Sequence, residues 1–268
     1  MSIPAKAADR IKSELKRFQP ILQSAKTRDV NESDTVVIVT DLLQYVFGYD
    51  KYSEITSEHM IRGTYCDLAV KLENRLAFLL EVKAIGSDLK DSHVKQAIDY
   101  ATNQGVDWVG LTNGHLWRVY KVTFSKPIDF EVVVDIDLLT MSHKDASALE
   151  MLGLIAKEGW QRSRLVEHHA HRQALSRYTL AALILSEPVL DVMRRQLRRV
   201  SPDTRVTGED LRASLESEVL KREVLEGEKA TAAARQVARA EARALRKAKE
   251  DVAKDDAPAI TPAAVVPA

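Results

Sequence analysis

Apolar residues recur at helical spacing from the start of the chain. Ile11, Leu15, Phe18 and Leu22 fall at i, i+4, i+7 and i+11 and predict a first helix with one buried stripe. A second helix is predicted from Asn31, a good N-cap residue, through Val36, Val39, Leu42, Leu43 and Val46, with Gly48 as its stop. The pattern then turns to that of strands. Residues 54–61 form a weak run, 65–72 a better one, and 76–85 (LAFLLEVKAI) the strongest in the chain. A helix over 88–104 ends at Gly105. Strand runs at 108–111 and 116–122 flank a Thr-Asn-Gly turn with hairpin chemistry, and 131–136 is a last strand. Helix, three strands, helix and further strands is the order of an α/β domain, and a mixed sheet of four or five strands flanked by helices is expected.

Composition divides the chain in three. Residues 1–140 hold the mixed pattern, 141–225 read almost wholly as helix and are rich in Arg, and 226–268 are a charged helical arm closing in a Pro/Ala tail, DDAPAITPAAVVPA, too poor in large apolar groups to pack. No repeat is present at solenoid periods. The 268 residues are ample for a hydrophobic core. With 39 Lys plus Arg against 39 Asp plus Glu, bulk charge gives no argument for nucleic acid, so any polyanion site must come from local clustering. The single cysteine, Cys66, excludes a disulfide framework and a Cys-rich structural zinc site. No apolar run approaches the roughly 18 residues that span a bilayer, and the N-terminal MSIPAKAADRIKSELKRF reaches charge at once. No membrane partner and a cytoplasmic setting are therefore expected.

The strongest strand contains an anomaly. LAFLLEVKAI is apolar on both alternating faces, as a buried central strand would be, yet Glu81 and Lys83 interrupt it on one face. Two ionised groups there are costly unless each has a partner. If Glu73, Asn74 and Arg75 form a three-residue loop, Leu72 pairs with Leu76 and Asp67 stands opposite Glu81, with Cβ atoms about 4.5–5.5 Å apart. Such a carboxylate pair repels itself unless one member keeps its proton or a divalent cation joins it. Mg²⁺ suits one or two carboxylates, several waters and a substrate phosphate, with Mn²⁺ as a substitute. Lys83 would stand beside it.

Asp67 followed by Glu81-Val82-Lys83 resembles the PD-(D/E)XK nuclease superfamily, and more narrowly the N-terminal nuclease domain of type I restriction enzyme R subunits. The matching stretches are NESDTVVIVTDLLQYVFGYD, CDLAV, LLEVKAIGSDL, QAIDYA and LTNGHLWRVYKV, over roughly residues 30–122. The resemblance implies a restriction-endonuclease-like core. It also implies metal ligation by Asp67, Glu81 and the Val82 carbonyl, a catalytic-lysine role for Lys83, and a DNA-positioning role for Gln96 and Tyr100. Glu32 matches a helix acid that supports the metal, and reads equally as a first-turn acid favoured by the helix dipole. Cys66 stands where the motif has proline. No G-x-x-x-x-G-K-[ST] occurs, so the ATP-driven motor of the full R subunit is not implied. The implied activity is Mg²⁺-dependent DNA cleavage, in the setting of restriction-modification. Cutting both strands with one site per chain favours a homodimer. The rival reading is an idle nucleic-acid-binding or assembly module of the same fold; an RNA-directed nuclease shares the chemistry.

Other features read structurally. Trp108, Trp117 and Tyr120 sit in strand runs as packing, with base stacking the alternative. His168, His169 and His171 lack further zinc ligands and read as a solvated helix face. Arg162, Arg164, Arg172, Arg177, Arg194, Arg195, Arg198 and Arg199 make a basic region that tracks DNA phosphates or pairs with Glu216, Glu218 and Glu223, and both options stay open. The run SRYTLAALILSEPVLDVM is apolar enough for a helix or subunit interface, and Pro188 breaks it.

Overall fold

The computed structural model describes residues 3–61 and 64–255; the Pro/Ala tail expected from 256 onward lies outside the described residues. The helical stripe is realised in α1 (Ala5–Thr27), where Ile11, Leu15, Phe18 and Leu22 are all buried. α2 (Glu32–Asp41) begins where Asn31 accepts a hydrogen bond from the Asp34 N–H, and a π-helical turn, Leu42–Val46, extends it to Gly48, which takes φ +83°. Six strands follow in two groups: β1 (Ile55–Ile61), β2 (Thr64–Leu72) and β3 (Arg75–Val82), then β4 (Trp108–Thr112), β5 (Leu116–Thr123) and β6 (Asp129–Asp137), with α3 (Asp91–Gln104) between the groups. Gly105 caps α3 in the left-handed region that glycine reaches without strain.

The sheet is mixed, as expected, and has six strands rather than four or five, in the order β1-β2-β3-β4-β5-β6. Only β3 and β4 run parallel, joined by the α3 crossover; the other neighbours are antiparallel. The weak run at 54–61 is thus a full edge strand. β3 lies inside the sheet, which rules out a solvated edge for Glu81 and Lys83.

Alternation along the strands assigns the faces. Leu68, Val70, Phe78, Leu80 and Val82 point into one core with α1 and the α2 region. Ala69 and Leu79 point into a second core with Val94, Ala97, Ile98 and Tyr100 of α3. Two further helices, α4 (Ala146–Ile155) and α5 (Lys157–Gln161), close the first core. The Trp160 ring stacks on Phe78 at 5.0 Å, the Tyr49 hydroxyl donates to the Ile155 carbonyl at 2.7 Å, and Arg10 grips Glu158 through both carboxylate oxygens. Trp108, Trp117 and Tyr120 are buried, so their role is packing.

The chain forms two compact units that meet in sequence between His169 and Ala170. The second contains α7 (Arg177–Ile184), α8 (Glu187–Val200), α9 (Gly208–Ser214), α10 (Arg222–Leu225) and α11 (Glu228–Asp255), with a small core at Leu190, Leu211 and Leu215; α6 (Arg164–Ala174) spans the boundary. One expectation for the helical region is corrected: His169 is only partly solvated, since it bonds Glu131 and stands edge-on to Trp108. The apolar run 176–193 packs helix on helix as expected, α7 on α11 and α8 on α9, with a new helix opening at Ser186–Pro188 and Leu180, Leu183 and Val192 left exposed.

Candidate active site

The hairpin between β2 and β3 sets the geometry. Its turn has two residues, Glu73 and Asn74, both with positive φ, and pairs Leu72 with Arg75; the three-residue loop pairing Leu72 with Leu76 is not formed. A shift between Val70 and Lys71 then leaves Ala77 as an extra residue on β3, so that Leu68 pairs with Leu80. The tighter turn and the extra residue cancel, so Leu68 pairs with Leu80 as the longer loop required, and Asp67 and Glu81 are the next residues beyond that pair.

Glu81 alternates with Leu79, which belongs to the second core with α3, and the Asp67 charge acts on Glu81. One Asp67 oxygen accepts the Val82 N–H at 2.7 Å, which sets the Val82 backbone beside the acid. Lys83 leaves the strand end held by its own N–H, which donates to the Thr112 carbonyl at 2.8 Å. Its ammonium lies 2.8 Å from Glu81 Oε1 and 3.5 Å from Glu32 Oε2. Exposure rises along this line, from 4% for the Glu81 side chain to 21% for Lys83 and 50% for Glu32, so the cluster opens to solvent past the start of α2. Glu32 therefore meets the lysine.

Three carboxylates face one ammonium, and the electrostatics follow. Burial pushes the Glu81 carboxyl above its ordinary range and the Asp67 and Glu32 charges add to this, against the opposing pull of Lys83. Burial alone would lower the Lys83 ammonium, but the three acids outweigh it and hold it above its ordinary value. The Cys66 thiol is pushed up to about 12 by burial, with Glu81 and Asp67 contributing, which makes it an inert neighbour. A raised carboxyl is a liability at neutral pH: ionisation costs stability as pH rises through the raised value, and the cost vanishes once the group is protonated in both states. Glu81→Gln is accordingly expected to melt about 2–4 °C above wild type at pH 7 without divalent cation, the gap closing below about pH 4.5. Thermal scans across that range check both the sign and the closure.

Gln96 donates to the Tyr100 hydroxyl at 3.0 Å, one turn apart on α3. Gln96 is exposed, whereas the Tyr100 ring is buried in the core that includes Ala69 and Leu79. Asn113 escaped sequence reasoning as a site-shaping residue. Its amide donates to the carbonyls of Ile85 at 3.2 Å and Ser87 at 2.9 Å, while its oxygen accepts the Leu116 N–H at 2.8 Å. The segment after Lys83 is thereby tied to the β4–β5 hairpin. Gly86, within that segment, approaches the Asp29 carboxylate so closely that any side chain would collide with it. The Thr-Asn-Gly signature announces the turn, but nothing local announces partners 26 and 28 residues away.

A divalent cation is compatible with this donor set. Glu81 Oε2 is buried without a hydrogen-bond partner, and the cluster carries more negative than positive groups. No group of three or more His, Cys, Asp or Glu that could hold a metal occurs among the described residues. Mg²⁺ takes as few as one or two carboxylates and completes its shell with water. No family model, curated protein or solved structure matches the chain.

Proposed function

We propose that the chain is a divalent-metal-dependent nuclease that hydrolyses DNA phosphodiesters at the Asp67–Glu81–Lys83 cluster. The observation that carries this reading is the gathering of two carboxylates and an ammonium at the end of β3, with one buried carboxylate oxygen left unpartnered. Order along the chain supports the finer reading, a restriction-endonuclease-like core: a helix, the hairpin bearing both acids, the crossover helix with Gln96 and Tyr100, and a parallel strand. Asp67 and Glu81 would hold the cation, whose bound charge supplies Lewis-acid polarisation of a phosphoryl oxygen. The remaining steps belong to the chain. Lys83, oriented by Glu81 and Glu32, presents a fixed positive charge to a phosphate and stabilises the charge that develops on it. Asp67 is oriented by the Val82 amide, which lowers the reorganisation needed when a substrate arrives. Burial of Glu81 lowers the local dielectric and strengthens each of these interactions.

One observation favours an idle binding module instead: Asp67 and Glu81 already find partners within the chain, in the Val82 amide and Lys83. Plasmid nicking by the full chain separates the two readings. Cleavage in Mg²⁺, abolished by EDTA and restored by Mn²⁺, is the expected result, with duplex DNA cut in preference to single-stranded DNA and RNA. Salt-sensitive DNA binding without cleavage in either metal would establish the module; preferential cutting of RNA would reassign the substrate.

A further inference from the structure

We propose that α11 carries a separate nucleic-acid contact, a row of arginines that binds the phosphodiester backbone. Arg235, Arg239 and Arg243 follow one another at i, i+4 and i+8 and are all exposed, which lines them up on one helix face about 12 Å long at roughly 6 Å intervals. None of the three has an ion-pair partner among the described residues. From Lys229 to Lys247 the helix bears six cationic side chains and a single acid, Glu241, which is half-buried on the opposite side. In a chain with equal numbers of cations and anions, this is a pronounced local excess. Three arginines of the preceding helices are paired instead: Arg177 meets Glu223 at 2.9 Å, Arg194 meets Asp191 at 2.7 Å and Arg212 meets Glu187 at 2.9 Å.

The rest of the helix narrows the occupant. Its other face buries Ala230, Ala233 and Val237 where α11 packs on α7, and among the described residues Leu245 is the one large apolar side chain of α11 left exposed, whereas an interfacial membrane helix requires a whole apolar face. Ala232, Gln236 and Ala240 line a shallow groove together with the three arginines. Guanidinium forks bind phosphate oxygens in pairs, and an evenly spaced row suits a polymer of repeating charge. The choice of DNA over other nucleic acids rests on the nuclease reading; the row itself does not.

The test is fluorescence anisotropy of a labelled DNA duplex with the full chain in EDTA, across a salt series, alongside plasmid nicking in Mg²⁺. Each arginine–phosphate contact adds about 0.9 to the slope of log K against log salt, so the triple variant R235Q/R239Q/R243Q is expected to lose about 2.7 of it and to bind roughly tenfold to a hundredfold more weakly at low salt. The triple Lys variant, which keeps the charge, is expected to retain the slope, and circular dichroism confirms that both remain helical. An unchanged slope in the Gln variant, or no duplex binding by the wild type, overturns the proposal. So does lost binding to phosphatidylserine vesicles with DNA binding intact, which would assign the row to a membrane. Nicking by the wild type with an unchanged slope rejects the arginine row alone. Slope loss without nicking keeps the row and rejects the nuclease.

Discussion

Lys83→Ala is expected to reduce Mg²⁺-dependent plasmid nicking by roughly 10²–10⁴-fold, and Glu81→Gln by a similar factor, while the two variants move stability in opposite directions. The lysine is the only cation within 4 Å of Glu81 or Glu32 among the described residues, so its removal leaves both oxygens of a buried carboxylate unpartnered and three acids facing one another. That costs on the order of 1–3 kcal/mol and drives Glu81 toward its protonated form. Glu81→Gln does the reverse: it removes a charge that burial already disfavours, so the fold gains while the metal-binding oxygen is lost. Loss of cleavage in a destabilised and in a stabilised variant alike cannot be attributed to unfolding. The measurement is initial nicking rate at saturating Mg²⁺, paired with thermal melts. Wild-type rates in both variants would remove the cluster from the chemistry.

Asn113→Ala is expected to destabilise the first unit by about 3–5 kcal/mol. The side chain is almost fully buried and satisfies two carbonyls and one amide of the backbone, at roughly 1–1.5 kcal/mol each, and truncation leaves all three without it. Asn113→Asp is expected to be at least as damaging. A carboxylate still accepts the Leu116 N–H, but it cannot donate to Ile85 and Ser87, and it would set negative charge against two carbonyl oxygens. The functional consequence is larger than the lost stability suggests. The segment from Ala84 to Ser87 leads away from Lys83, and its release frees the ammonium from the position that Glu81 and Glu32 define. Below the melting temperature, nicking is expected to fall at least tenfold in Asn113→Ala, since small misplacements of a catalytic group are costly. Urea titration gives the stability change, and nicking on ice tests the positioning role. Wild-type stability in Asn113→Ala would show that water replaces the amide at no cost.

Much of the scaffold was legible before any coordinates. The stripe Ile11-Leu15-Phe18-Leu22, the Asn31 cap, the Gly105 stop and the apolar run around Glu81 are local signals, each decided by residues within a few positions of one another. The shared face of Glu81 and Lys83 follows from strand geometry alone. The turn was not legible. Glu73 and Asn74 both adopt positive φ, an arrangement common for Asn but rare for Glu, and the compensating extra residue at Ala77 has no signature in a run of apolar side chains. The long-range partners were equally hidden: Asn113 with the Ile85–Ser87 backbone, Glu131 with His169, and the pairing of Arg177 with Glu223.

The amino-acid pattern by itself determined that this chain builds helices around a mixed sheet and embeds an acid and an amine in its most apolar strand, because periodicity and burial are properties of short stretches. Only the tertiary structure decided that Asp67 joins them, that Glu32 meets the lysine, and that one oxygen of Glu81 is left without a partner. Those outcomes depend on strand register, where a slip of one residue reverses every side chain, and on contacts between segments that lie far apart in the chain.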